Sequence, residues 1–188
     1  MKSILLSIKP QWVEKILNEK KTIEVRKQFP KNYVGWVYIY CTKDKKYANL
    51  INRGGFLTGM VVARFWCDKV EEILNYGLAR RSESMMKELL EKSCLTMNEL
   101  NEYAPHKEYK ENDFIYAIHI SKLEIFDKPK ELSDFKSICQ KFEKDTVHYS
   151  CIGCKYCNYD LPYPATRSSC LKKITRAPQN YCYIEGEI

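Results

Sequence analysis

Short runs that alternate between two classes of side chain recur along this chain, and no regular succession of strand, helix and strand orders them. In Trp36–Thr42, Val37, Ile39 and Cys41 alternate with Trp36, Tyr38 and Tyr40, the period of two that a pleated strand produces. The second set is aromatic throughout, so burial is expected on both faces. Similar signals cover Ser3–Ile8, Thr22–Lys27, Phe56–Asp68, Asp113–Ser121 and Leu123–Phe126. Gly59 is expected to bend Phe56–Asp68 from within, and Pro129 to turn the chain after the last segment. With no βαβ alternation, the expected class is α+β: a closed or strongly curved mixed sheet flanked by a few helices.

Three helices are expected. Lys9-Pro10 ends the first strand and suits a first helical turn, after which Trp12, Val13, Ile16 and Leu17 lie on one stripe. Residues 81 to 93 place Met85, Met86, Leu89 and Leu90 together, and Thr96-Met97-Asn98-Glu99 fits a capping box opening a third helix. Lys43–Lys46 reads as a charged turn and Asn52–Gly55 as a loop.

Chemistry concentrates in Asn18–Lys27. Ile23 and Val25 would face one side of a strand and Thr22, Glu24 and Arg26 the other, as a rail of hydroxyl, carboxylate and guanidinium about 6 to 7 Å apart. Lys20 and Lys21 precede it at the exit of the first helix. A solvated strand face with a weak surface ion pair between Glu24 and Arg26 is the plain alternative.

Residues 19 to 26, with Lys21, Glu24 and Arg26 in register, resemble the GxKxxExR signature of the ASCH domain family, small proteins of the PUA-like superfamily. Leu5–Pro10 with Trp12–Leu17 and Arg176–Ile184 extend the resemblance, which covers about 1–135 and 176–186. It implies a PUA-like β-barrel flanked by helices, with 136–175 as an insertion before the last strand of one domain spanning 1–188. In one departure, Glu19 stands where the signature has glycine, so the turn must form without a residue that freely tolerates positive φ.

At 188 residues and 45% hydrophobic, the chain is long enough for one core of ordinary size. Nine cysteines with no secretory signal and no span-length apolar run point to a reducing, cytoplasmic setting. The net charge of +7, from 31 basic and 24 acidic residues, favours polyanionic partners.

Within the insertion, Cys151, Cys154, Cys157 and Cys170 give C-x2-C-x2-C-x12-C, enough thiolates for a structural zinc. The segment is too polar to build its own core, and metal binding would supply the missing stabilisation. An iron–sulfur cluster and plain reduced thiols are the alternatives, and His148 could replace Cys170 as a ligand. Cys41, Cys67, Cys94 and Cys139 are expected as small buried hydrophobes. His106 and His119 lack ligand spacing, and His119 is expected to point outward.

The resemblance implies RNA or nucleotide binding, or chemistry on a modified nucleoside, in a cleft where the signature strand meets the first helix. Lys9, Lys21, Glu24 and Arg26 are the positions carried over. Arg26 and the lysines would hold phosphate or a carbonyl oxygen, Glu24 would accept from an exocyclic amine, and Trp12, Trp36 or Tyr40 would stack on a base. As an enzyme, the same site would be an acetylcytidine amidohydrolase or a ribonuclease with Lys21 and Glu24 catalytic. Against the amidohydrolase, Glu24 occupies the place of the catalytic threonine, and only Ser93 falls where its acid would be sought. A regulatory protein-interaction module using the Cys-rich insertion is the third class.

Overall fold

The computed structural model describes residues 2–48, 58–74, 82–105, 114–138 and 171–185. The elements are β1 (Lys2–Ile8), α1 (Pro10–Leu17), β2 (Ile23–Arg26), β3 (Gly35–Cys41), α2 (Lys45–Ala48), β4 (Val61–Cys67), β5 (Val70–Leu74), α3 (Glu83–Ser93) and α4 (Met97–Tyr103), followed by β6 (Phe114–His119), β7 (Lys122–Lys130), β8 (Lys136–Ile138), β9 (Leu171–Lys173) and β10 (Tyr181–Glu185).

Among the described residues ten strands form a seven-stranded sheet, β7-β4-β3-β1-β10-β8-β9, and a three-stranded sheet, β2-β6-β5. The β1–β3 pair is parallel, whereas β1–β10, β3–β4, β4–β7, β2–β6 and β5–β6 are antiparallel. The chain passes from the large sheet into the small one and back at β1–β2–β3, and again from β4 into β5 and from β6 into β7. There Ser121 N–H donates to Trp66 O and His119 N–H to Lys69 O, both at 3.0 Å.

The mixed α+β class is observed, but the expected barrel is not closed. Among the described residues β2 has no backbone ladder to the large sheet. It turns Glu24 and Arg26 toward that sheet, and the Arg26 guanidinium donates to Ser7 O of β1 across the opening.

Three apolar clusters follow from strand alternation. Ile4, Leu6, Ile8, Val37, Ile39, Ala63 and Phe65 of the large sheet pack with Val13 and Ile16 of α1 and with Ile118 of β6. Ile23, Val25, Ile115 and Ala117 pack on Met86, Leu89 and Leu100 of α3 and α4. The far face of the large sheet, with Leu5, Trp36, Tyr38 and Tyr40, is covered by Phe135 and Ile174. All seven residues of β3 are buried, as its two-sided apolar pattern requires.

Several boundaries differ from the sequence reading. β4 begins at Val61, and Gly59 sits in the turn before it at φ 84°, its N–H donating to Cys41 O at 2.7 Å. β7 continues through Pro129, which is tolerated because, among the described residues, β7 is an edge strand with no ladder on one side. Met85 is 48% exposed and leaves the stripe that Met86 and Leu89 bury. The Thr96–Glu99 capping box is present in both directions. The Asn52–Gly55 loop, His106, His148, Cys139, Cys151, Cys154, Cys157 and Cys170 lie outside the described residues. The ends of the insertion are paired as β8 and β9, from Lys136↔Lys173 to Ile138↔Leu171.

Candidate functional site

The segment leading into β2 is set by the way α1 ends. Asn18 caps α1, and Glu19 follows at φ 55°, the left-handed conformation. Glu19 N–H donates to Ile16 O at 2.8 Å and Lys20 N–H to Lys15 O at 2.9 Å, the paired bonds of a Schellman turn, where glycine is the usual occupant. The turn expected to lack its glycine therefore forms in the left-handed geometry with a glutamate, at a steric cost of about 1–2 kcal/mol.

A second left-handed terminus faces it. α3 closes at Cys94, φ 53°, with Leu95 N–H on Leu90 O at 3.1 Å. The two ends interlock: Lys15 Nζ donates to Cys94 O at 3.3 Å, Cys94 Sγ to Lys20 O at 3.1 Å, and Thr22 N–H to Lys92 O at 2.9 Å. Cys94 thus departs from the expected buried hydrophobe, being half-buried and hydrogen-bonded. Cys41 and Cys67 fit that expectation, and burial pushes both thiols up to about 12.

From this clamp Lys21 enters the interior, 2% exposed. Its Nζ donates to Ser93 O at 2.6 Å and lies 3.3 Å from Glu24 Oε2. The carbonyl end of α3 is the negative pole of the helix and suits an ammonium. Glu24 is 5% exposed, and its Oε1 lies 2.9 Å from Arg26 Nε. That contact is a charge pair without a directed hydrogen bond, for Arg26 Nε is buried with no hydrogen-bond partner among the described residues. The outer NH2 of the guanidinium reaches Ser7 O. One carboxylate thus stands between two cations, leaving surplus positive charge at the floor. Burial lowers the pKa of Lys21 below its ordinary 10.5, and the attraction of Glu24 only partly offsets this.

These side chains floor a cleft of about 730 Å³. Lys9, at the N-cap of α1, and Trp12 form one side, while Glu99, Glu102 and Tyr103 of α4 form another. Ala177, Pro178 and Gln179 complete the wall, held by Ser7 Oγ donating to Pro178 O at 2.7 Å. Trp12 carries two ammonium groups against its ring, Lys15 at 4.5 Å and Lys21 at 5.2 Å from the centroid.

The structure therefore brings together Lys9, Trp12, Lys21, Glu24 and Arg26, all five residues expected at the site. It does not bring Thr22, which is exposed and outside the cleft. Trp36 and Tyr40, expected as stacking candidates, are buried on the far face of the large sheet. Ser93 takes part through its carbonyl, and the acids that line the cleft are Glu24, Glu99 and Glu102. His119, expected to point outward, is half-buried with Nε2 2.9 Å from Glu71 Oε1. Tyr103 and the 177–179 wall were missed, since only the tertiary fold brings them to β2.

No family model matches the chain, and no curated protein does. Solved structures do. The ASCH protein of Zymomonas mobilis is similar with a TM-score of 0.51 at 13% identity, over 70% of this chain and 77% of that one. One mutant of that protein gives 0.50 at 14% identity over 71% and 81%, and another 0.50 at 14% over 93% and 89%. The chain has an ASCH-domain fold, the class implied by residues 19 to 26. Among the described residues no helix is long and apolar enough to cross a membrane, and no group of three or more His, Cys, Asp or Glu is placed to hold a metal.

Proposed function

We propose that the cleft binds RNA, a nucleotide or a modified nucleoside, with Lys9, Trp12, Lys21, Glu24 and Arg26 as the recognising set. The observation that carries this reading is the buried Lys21–Glu24–Arg26 cluster, which opens into the cleft beside a Trp12 ring. A preorganised cationic floor suits phosphate or carbonyl oxygen, the carboxylate suits an exocyclic amine, and an indole face suits a base. The ASCH-domain fold and the net charge of +7 support the same partner class. Titration of a nucleoside and nucleotide panel, followed by Trp12 fluorescence, tests it. Saturable binding lost in Arg26→Ala supports the reading, and a flat titration across the panel removes it.

A hydrolytic role is the second reading, and the lowered pKa of Lys21 favours it, because a buried lysine is readied to act as a base. Glu24 would position the attacking water, or act as the base in RNA cleavage with Arg26 as phosphate clamp. Product analysis on the same panel separates the two readings. Turnover that disappears in Lys21→Ala identifies an enzyme, while retention of unchanged ligand identifies a binding module. Cys151, Cys154, Cys157 and Cys170 are proposed as ligands of a structural zinc.

A further inference from the structure

The α4 side of the cleft carries a second aromatic ring, and a lysine just beyond the cleft lining stands over it. Tyr103, the last residue of α4, lines the cleft and is 38% exposed, and the exposed Lys27, just after β2, holds its Nζ 4.9 Å from the Tyr103 centroid. The inner side has the same composition, Trp12 with Lys15 and Lys21. Two ring-and-ammonium pairs on different elements are more than one base needs. The cleft, at about 730 Å³, lies in the upper part of the roughly 300–1,000 Å³ range of small-molecule sites.

Successive bases stacked on aromatic rings, with cations tracking the phosphates, is how single strands are held. The acids on α4 limit how such a strand would lie. Glu99 is engaged by the Thr96 cap, its Oε2 accepting from Thr96 N–H at 2.8 Å, and Glu102 is exposed beside it. Both repel phosphate, so a backbone is favoured along Arg26 and Lys27, with base edges toward α4, where Glu102 accepts from an amine.

We infer that Tyr103 and Lys27 form a second nucleotide subsite at the mouth of the cleft, which makes the ligand a single-stranded RNA segment of at least two nucleotides rather than a free nucleoside. This rests on the nucleotide reading of the inner residues. The test compares the four nucleoside 5′-monophosphates with random-sequence RNA tetramers, titrated into the intact chain. Wild type is expected to bind tetramers about tenfold tighter than mononucleotides, the order of one stacked base. In Tyr103→Leu/Lys27→Gln that advantage falls to about twofold. Lys27→Gln alone, which leaves the ring in place, lowers the salt slope of tetramer binding by about 0.7. Equal affinity for both probes in wild type, or proportional loss of both in the double variant, overturns the outer subsite and leaves the inner site standing. Failure of both probes to bind overturns the inner site and the outer one together.

Discussion

The ammonium of Lys21 sits 2.6 Å from the main-chain carbonyl of Ser93, so a residue from the start of the chain closes the last turn of a helix 72 positions later. The same ammonium faces Glu24 at 3.3 Å. Replacement by methionine keeps the volume but strips the buried carboxylate of one of its two cations and leaves Ser93 O without this donor. Lys21→Met is expected to lower stability by about 2–3 kcal/mol, less than for an isolated buried pair because Arg26 remains. Urea unfolding checks this, and an unchanged midpoint would show that Lys21 stabilises nothing in the fold.

The pH dependence of stability follows from the direction of the Lys21 shift. The folded state holds this proton less tightly than the unfolded chain, whose pKa is the ordinary 10.5. Between the lowered folded value and 10.5 the unfolded chain therefore binds more protons, and the contribution of Lys21 to stability rises with pH. Below that window the cost of burying the ammonium is present in full. The stability of wild type relative to Lys21→Met is expected to increase as pH approaches about 10, and unfolding midpoints of the two proteins across the alkaline range measure it.

Glu19 occupies the left-handed position of the turn out of α1. Glu19→Gly is expected to raise stability by roughly 0.5–1 kcal/mol, since the steric strain relieved exceeds the entropy that glycine adds to the unfolded chain. A higher thermal midpoint with ligand affinity unaltered is the expected result. A lower midpoint would mean that the glutamate makes a compensating contact.

Arg26 joins the site to the large sheet, pairing with Glu24 and donating to Ser7 O. Arg26→Ala is expected to weaken ligand binding by about 1–3 kcal/mol, while Arg26→Lys recovers only part of it because one ammonium cannot make both contacts. Calorimetric titration decides the matter, and undiminished affinity would place Arg26 outside the site.

Protein purified without added zinc is expected to carry about one zinc per chain through Cys151, Cys154, Cys157 and Cys170. Elemental analysis before and after Cys154→Ser measures it. Absence of both zinc and iron would leave four thiols.

Much of this site was legible in the sequence because its chemistry is local. The period of two put Ile23 and Val25 opposite Glu24 and Arg26, and the α3–α4 core does take the apolar pair. Alternation could not tell which face of a strand is closed. Trp36 and Tyr40 have the pattern of stacking residues, but Phe135 and Ile174, from distant segments, cover them. Nor do the residues of β2 show whether it pairs with β1 or leaves a gap bridged by one guanidinium, because pairing depends on partners far along the chain. The Ser93 carbonyl, Tyr103 and the 177–179 wall were unseen for the same reason.

β10 lies between β1 and β8, and the wall at 177–179 directly precedes it. On one side β1 pairs with the nearby β3, but its neighbour on the other side lies some 180 positions downstream, a closure of high contact order. A chain cut short before residue 177 keeps Lys21, Glu24 and Arg26 but has neither the cleft's third wall nor the β10 ladder on β1. The cleft is therefore completed late, when residues 177–185 dock beside β1.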